Sequence, residues 1–210
     1  GALGPPAPPL GPPARLSPAG AGVWGGRGPR RRAQSAPARA GPRRALTELG
    51  LAPVPLLPGA GGAPRWPDGV VGSITHCDGY RAAVAARAAD VAALGIDAEP
   101  AGPLPRGVLG LVASAGERAA LERLAAERPG VYWDRLLFSA KEAVYKAWFP
   151  STGRWLGFAE AEVCLAPTGT FTAKLTPTTP PPRGAALRFS GRWLTRGDLL
   201  VTFAARADGA

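Results

Sequence analysis

Leu94-Gly95-Ile96-Asp97-Ala98-Glu99-Pro100 (LGIDAEP) is the stretch on which the reading of this chain turns. Asp97 and Glu99 stand two apart behind a short apolar run. In a strand, residues i and i+2 share a face, so the spacing predicts two carboxylates side by side. Two acids on one face repel unless a cation sits between them. Hard oxygen ligands at that spacing suit Mg²⁺, which takes one or two protein carboxylates and leaves its other positions to water and phosphate. An isolated D-x-E is more often a solvated strand end or turn. The surrounding sequence has to separate the two readings.

At 210 residues the chain can bury a sizeable core as one large domain or two small ones. No apolar run approaches the roughly 20 residues of a membrane span. The opening GALGPPAPPL has neither the basic region nor the long apolar region of a secretory signal. Cys77 and Cys164 are the only cysteines and form no C-x-x-C. That excludes a zinc ribbon and a disulfide framework and fits a reducing compartment, the cytoplasm. With no methionine anywhere, the chain is read as a fragment or a processed product. The net charge of +10 is unevenly placed. Eight arginines and no acid lie before Glu48, so the basic character belongs to one segment. A nucleic-acid-binding function would rest on that segment alone, with no recognition motif beside it.

Residues 1–38 are mostly Pro, Gly, Ala and Arg. They cannot bury enough apolar surface to offset their ordering entropy, so the segment is read as low-complexity and disordered. Residues 39–50 read as the last turns of a helix stopped by Gly50. The Pro- and Gly-rich run 51–67 predicts a loop without regular structure. Val70–Cys77 is a strand by its β-branched content. Tyr80–Ala89 is ambiguous between an Ala-rich helix and a hairpin return. Ser114-Ala-Gly-Glu117 is a capping box that starts a helix running to Arg128. A second helix follows, with Asp134 as a possible cap and Pro150 as its end. Its apolar residues at 136, 137, 140, 143, 144 and 147 have helical spacing. From Phe158 onward the pattern is two β-hairpins, turning at Pro-Thr-Gly and Arg-Gly-Asp and separated by the Pro-rich TPTTPPPRG.

Glu142 and Lys146 are at i and i+4 of the second helix and share a face with Phe138. By spacing alone this is a surface pair contributing a few tenths of a kcal/mol. Lys141 points elsewhere, about 100° round the helix. His76 is the only histidine, so a His-rich metal site is excluded. Ser73, Thr75, His76 and Cys77 crowd one strand end, but no G-x-S-x-G elbow supports a hydrolase. Neither a dinucleotide-binding glycine motif nor a P-loop is present. The inventory of Asp97, Glu99 and Glu142 with a lysine, a histidine and spare arginines is that of a metal-assisted phosphoryl-type transfer.

Three stretches in order, Val71–Ala83 (VGSITHCDGYRAA), Leu94–Pro100 and Leu136–Pro150 (LLFSAKEAVYKAWFP), resemble the 4′-phosphopantetheinyl transferases. The similarity is to the branch of enterobactin-synthetase-component-D-like and surfactin-type enzymes, and runs from about Arg39 to Phe203. GGAPRWPDG, GRWLGF and FSGRW extend it. The resemblance implies an α+β fold of two similar lobes related by a pseudo-twofold axis, with the active site in the cleft between them. The expected boundaries are 39–110 and 111–210, with three strands in the first lobe. It implies Mg²⁺-dependent transfer of phosphopantetheine from coenzyme A to a serine of an acyl or peptidyl carrier protein. The expected setting is siderophore, nonribosomal peptide or polyketide synthesis by a cytoplasmic monomer. On the matching positions, Asp97, Ala98 (through its carbonyl), Glu99 and Glu142 hold the metal. Glu142 is the general base and Lys146 supports the pyrophosphate. His76, Thr75, Arg31 and Arg39 contact the nucleotide. Because residues 1–38 depart from the family's N-terminal helix, the alternative is a member impaired in coenzyme A binding that acts only as a carrier-protein-binding module.

Overall fold

The computed structural model describes residues 40–206. The segment 1–38, with Arg31, and Arg39 beside it lie outside the described residues. The described chain is a mixed α+β structure, as the sequence predicts.

Helix α1, Ala40–Glu48, closes at Gly50, whose positive φ of 74° permits the reversal. The run 51–67 is not wholly irregular. Leu57–Pro58 and Pro64–Arg65 pair antiparallel around a short 3₁₀ turn at Ala60–Gly62. Gly61 makes this possible, because a side chain there would collide with the Phe149 ring. Strands β1, Val70–Cys77, and β2, Tyr80–Arg87, form a hairpin across the Asp78-Gly79 turn. The ambiguous alanine-rich segment is therefore a strand. The Asp-Gly turn and eight-residue antiparallel register override its local helix propensity.

Strand β3, Leu94–Pro100, leads to helices α2, Val108–Val112, α3, Ala115–Glu127, and α4, Trp133–Thr152. The C-terminal strands are β4, Ala161–Ala166, β5, Thr170–Leu175, β6, Arg188–Arg196, and β7, Leu199–Arg206. They form one antiparallel sheet in the order β3-β7-β6-β5-β4. The expected third strand of the first lobe is thus hydrogen-bonded elsewhere: β3 pairs with β7, Asp97 opposite Thr202. Its other edge faces β1 through side chains. The amides of Ile96 and Ala98 donate to the Ser73 and Thr75 hydroxyls, at 3.1 and 2.9 Å. Two hydroxyls satisfy an edge that a ladder would otherwise cover.

The Ser114 capping box forms with Glu117 as read from sequence. Asp134 does not cap α4; its carboxylate accepts the Leu104 amide at 2.8 Å. Nor does Pro150 end that helix. It lies within the last turn, where a missing N–H costs one hydrogen bond, and the helix stops at Gly153 with φ 65°. The Ser151 and Thr152 hydroxyls both donate to the Trp148 carbonyl beside it.

The buried face of α4 is Leu136, Leu137, Ala140, Ala143, Val144, Ala147 and Trp148, packed on Phe171, Phe189, Trp193, Leu200 and Ala204 of the sheet. Each fully buried leucine contributes roughly 1.5–3 kcal/mol. Gly95 permits the closest approach of strand and helix: a Cβ there would lie 2.0 Å from the Ala143 carbonyl oxygen. This contact brings Asp97, two residues along β3, against the polar side of α4.

Candidate active site

Asp97 is 4 % exposed and sits at the junction of β1, β3 and α4. Its Oδ1 accepts from Lys146 Nζ at 2.7 Å and from Thr75 Oγ1 at 3.4 Å. Its Oδ2 accepts from Ser139 Oγ at 2.8 Å. Glu99, on the same face of β3, pairs with Arg135 at 2.9 Å. Arg135 also donates to the carbonyls of Gly102 and Pro103, tying the chain after β3 to α4. Helical spacing places Glu142 on the Lys146 face. Its carboxylate forms no ion pair among the described residues.

The electrostatics follow from three acids close together. Burial pushes the Glu142 carboxyl above its ordinary range; Asp97 and Glu99 add to the rise, and Lys146 opposes it. Burial likewise raises Glu99, with Asp97 adding and Arg135 and Lys146 opposing. Cys77, at the end of β1, is raised by burial and then by Glu99, Asp97 and Asp78. Negative charge is thus concentrated where β3 meets α4, and a small hard cation fits that donor chemistry. Among the described residues, no three Asp, Glu, His or Cys side chains are grouped to hold a metal ion as they stand. Lys146 and Arg135 are the cations that meet the acids here.

Sequence reasoning brought together Asp97, Glu99, Glu142 and Lys146, and the structure gathers them around one junction. The Ala98 amide binds Thr75 on the free edge of β3. Antiparallel alternation places the Ala98 carbonyl on that edge too. Thr75 and His76 do not act from one face. Thr75 is buried against Asp97, while His76, the next residue of the strand, points to the other side and is exposed. The same alternation separates Ser73 from His76, and the Ser73 hydroxyl accepts the Ile96 amide, so no hydrolase-like pair forms. Ser139, Arg135 and Thr202 were not foreseen. Their partners lie 32 to 63 residues away in sequence, and no local pattern marks them. An aromatic ridge flanks the acids: Tyr145 packs on Phe149 and on the exposed Trp155, with ring centroids 5.6 and 5.0 Å apart.

The sequence also matches known families and relatives. Residues 27–86 match the family model of the 4′-phosphopantetheinyl transferase N-terminal domain, and residues 93–203 that of the 4′-phosphopantetheinyl transferase superfamily. The first match reaches back into the segment read as unlike the family, so that departure is confined to the residues before it. The chain is 57 % identical over 184 residues to the 4′-phosphopantetheinyl transferase Svp of Streptomyces mobaraensis, covering 87 % of this chain and 75 % of that protein. It is 46 % identical to PptT of Mycobacterium tuberculosis, over 76 % of this chain and 72 % of the relative. It is also 46 % identical to Npt of Nocardia iowensis, over 79 % and 78 %. Both are likewise described as 4′-phosphopantetheinyl transferases. The β3–α4 junction lies inside the superfamily match, and the chain belongs to the 4′-phosphopantetheinyl transferase superfamily.

Proposed function

We propose that this enzyme transfers the 4′-phosphopantetheine group of coenzyme A to a carrier-protein serine in a Mg²⁺-dependent reaction that releases adenosine 3′,5′-bisphosphate. The observation that carries the reading is the convergence of Asp97, Glu142 and Lys146 where β3 crosses α4. Asp97, Glu99, Glu142 and the Ala98 carbonyl would hold the cation. When bound, it would neutralise the pyrophosphate and act as a Lewis acid on it.

The remaining chemistry belongs to side chains of this chain. Glu142 takes the proton of the carrier serine. Its raised pKa suits a carboxylate to that role, because a more basic carboxylate removes a hydroxyl proton more readily. The serine oxygen forms a bond to the phosphorus that carries pantetheine. The bond from that phosphorus to the bridging oxygen breaks, and its electron pair leaves on adenosine 3′,5′-bisphosphate. Lys146, partly exposed beside Asp97, would exchange that carboxylate for the negative charge growing on the leaving phosphate. The Tyr145–Trp155 ridge suits the methylenes and amides of the pantetheine arm. His76, together with Arg31 and Arg39, would meet the nucleotide, whereas Thr75, buried against Asp97, would reach it only by way of that carboxylate. The same proposal keeps the lobes at 39–110 and 111–210, with coenzyme A in the cleft between them and β3 of the first joined to the sheet of the second. Action as a cytoplasmic monomer in siderophore, nonribosomal peptide or polyketide synthesis belongs to it as well. No helix among the described residues is long and apolar enough to cross a membrane.

The test is an intact-mass assay of purified protein with coenzyme A, Mg²⁺ and a panel of apo-carrier domains. The expected result is a gain of one phosphopantetheine on at least one carrier, lost with EDTA and in Asp97→Ala or Glu142→Ala. No gain on any carrier overturns the reading. Calorimetry with coenzyme A then distinguishes lost nucleotide binding, the carrier-binding-module alternative, from lost chemistry.

A further inference from the structure

Two hydroxyls lie fully buried behind Asp97, where the helix–sheet interface is otherwise apolar. Ser139 and Thr202 are both 0 % exposed. A serine in the interior of a helix is no better a helix former than alanine, and a buried hydroxyl is costly unless bonded. Both are bonded, and to each other. Ser139 Oγ lies 2.8 Å from Asp97 Oδ2 and 2.8 Å from Thr202 Oγ1, and Thr202 Oγ1 lies 2.9 Å from the Ser139 carbonyl oxygen.

The protons can be counted. Two hydroxyl protons serve three contacts. The carboxylate has none of its own to offer, so the Ser139 proton goes to Asp97 Oδ2, as the charge-assisted bond is the stronger. The Thr202 proton is then shared between the Ser139 hydroxyl oxygen and the Ser139 carbonyl. In that arrangement Oδ2 of Asp97 faces the protein interior and is held there. Only Oδ1, the oxygen that now meets Lys146 and Thr75, faces the junction with Glu142.

We infer that Ser139 and Thr202 are positioning residues that make Asp97 a one-oxygen ligand. By committing Oδ2, they fix the carboxylate plane and present Oδ1 alone to the cation. Chelation through both oxygens would compete with the Ser139 bond to Oδ2, and single-oxygen ligation suits an ion that demands near-octahedral geometry. This inference rests on the Mg²⁺ site proposed above. It adds to that site a relay from the sheet, Thr202 to Ser139 to Asp97, joining β7 to α4 and β3. Outer partners of this kind typically alter metal affinity by about 10- to 100-fold when removed.

The probe is Mn²⁺, followed by electron paramagnetic resonance on the full chain without turnover. Ser139→Ala is expected to weaken Mn²⁺ binding about tenfold or more. Thr202→Val keeps the side-chain shape and removes the oxygen; it should weaken binding in the same direction by a smaller factor, and Thr202→Ser should restore it. A purely packing role predicts the opposite order for the two Thr202 variants, since valine conserves volume and serine does not. Wild-type protein that binds Mn²⁺ while Ser139→Ala and Thr202→Val bind it equally well would overturn the inference and leave the metal site standing. Wild-type protein that binds no Mn²⁺ would overturn both. If Ser139→Ala does not fold, the Thr202 pair decides.

Discussion

Helix α4 carries two lysines five residues apart, and both form short ion pairs. Lys141 meets Glu117 at 2.8 Å with the side chains 2 % and 3 % exposed. Lys146 meets Asp97 at 2.7 Å with the side chains 28 % and 6 % exposed. The distances are nearly equal, but the surroundings differ. Lys141 donates to Glu117 and to the carbonyls of Val112 and Phe158, which satisfies all three of its protons. Glu117 in turn accepts the amides of Ser114 and Val163. That pair is closed, joining α2, α3, α4 and β4. Even so, burial lowers the Lys141 pKa, with Glu117 and Glu162 opposing, as expected where desolvation outweighs pairing. Lys146 has a strong bond to Asp97 and a long contact to Thr75 at 3.5 Å. It sits among three acids and reaches solvent. Ion-pair distance therefore does not separate a structural pair from an exchangeable one. Satisfaction of the lysine's other protons, and access to solvent, do.

The largest expected effect falls on the closed pair. Lys141→Met leaves Glu117 buried without its cation and should cost about 3–5 kcal/mol of stability, read by urea unfolding. A change below about 1 kcal/mol would break the comparison, because Lys141 would then be no more structural than a surface lysine. The next largest falls on the open pair and in a different observable. Lys146→Met should lower carrier modification by about 10²–10³-fold, the usual loss for one group that stabilises developing charge. Its unfolding midpoint should move clearly less than that of Lys141→Met. If the two variants lose stability equally, Lys146 belongs with Lys141 as a structural residue.

Much of this contrast is legible in sequence where it depends on local pattern. The Glu142–Lys146 spacing and the Asp97–Glu99 alternation follow from repeats of 3.6 and 2 residues, the Ser114–Glu117 box from its S-x-x-E motif, and β1 from its β-branched content. Helical spacing turns Lys141 away from that face, yet nothing local reveals that it reaches Glu117, 24 residues earlier. Ser139, Arg135 and Thr202 are illegible in sequence for the same reason: their roles come from elements that meet only in three dimensions. Asp134 and Pro150 misled because cap and stop signals are local preferences, and here the Leu104 amide and Gly153 outcompeted them. The pairing of β3 with β7 is likewise non-local. The opposite orientations of Thr75 and His76, by contrast, follow from strand alternation alone and were readable in β1.

The smallest effect sharpens the comparison at the acid between the two lysines. Glu142 has no ion-pair partner among the described residues, and burial raises its pKa above the ordinary 4.5, with Asp97 and Glu99 adding and Lys146 opposing. A carboxyl raised in the folded state binds protons more readily there than in the unfolded chain. Its favourable contribution is present below pH 4.5 and is lost as pH rises through the raised native value. At pH 7 the ionised Glu142 is therefore a liability to the fold, kept at a site where a base is wanted. In metal-free protein, Glu142→Gln should raise stability at pH 7 by about 0.5–2 kcal/mol, the usual size of a stabilising replacement. That gain should shrink as pH falls towards 4.5, where wild-type Glu142 is itself protonated. Thermal melts of both proteins across this range read the effect, and the same variant should abolish transfer to carrier protein. A gain independent of pH would mean that packing, not charge, distinguishes the glutamine. A loss at pH 7 would mean that Lys146 compensates Glu142 as fully as Glu117 is compensated by Lys141, and the two ends of α4 would then differ in exposure alone.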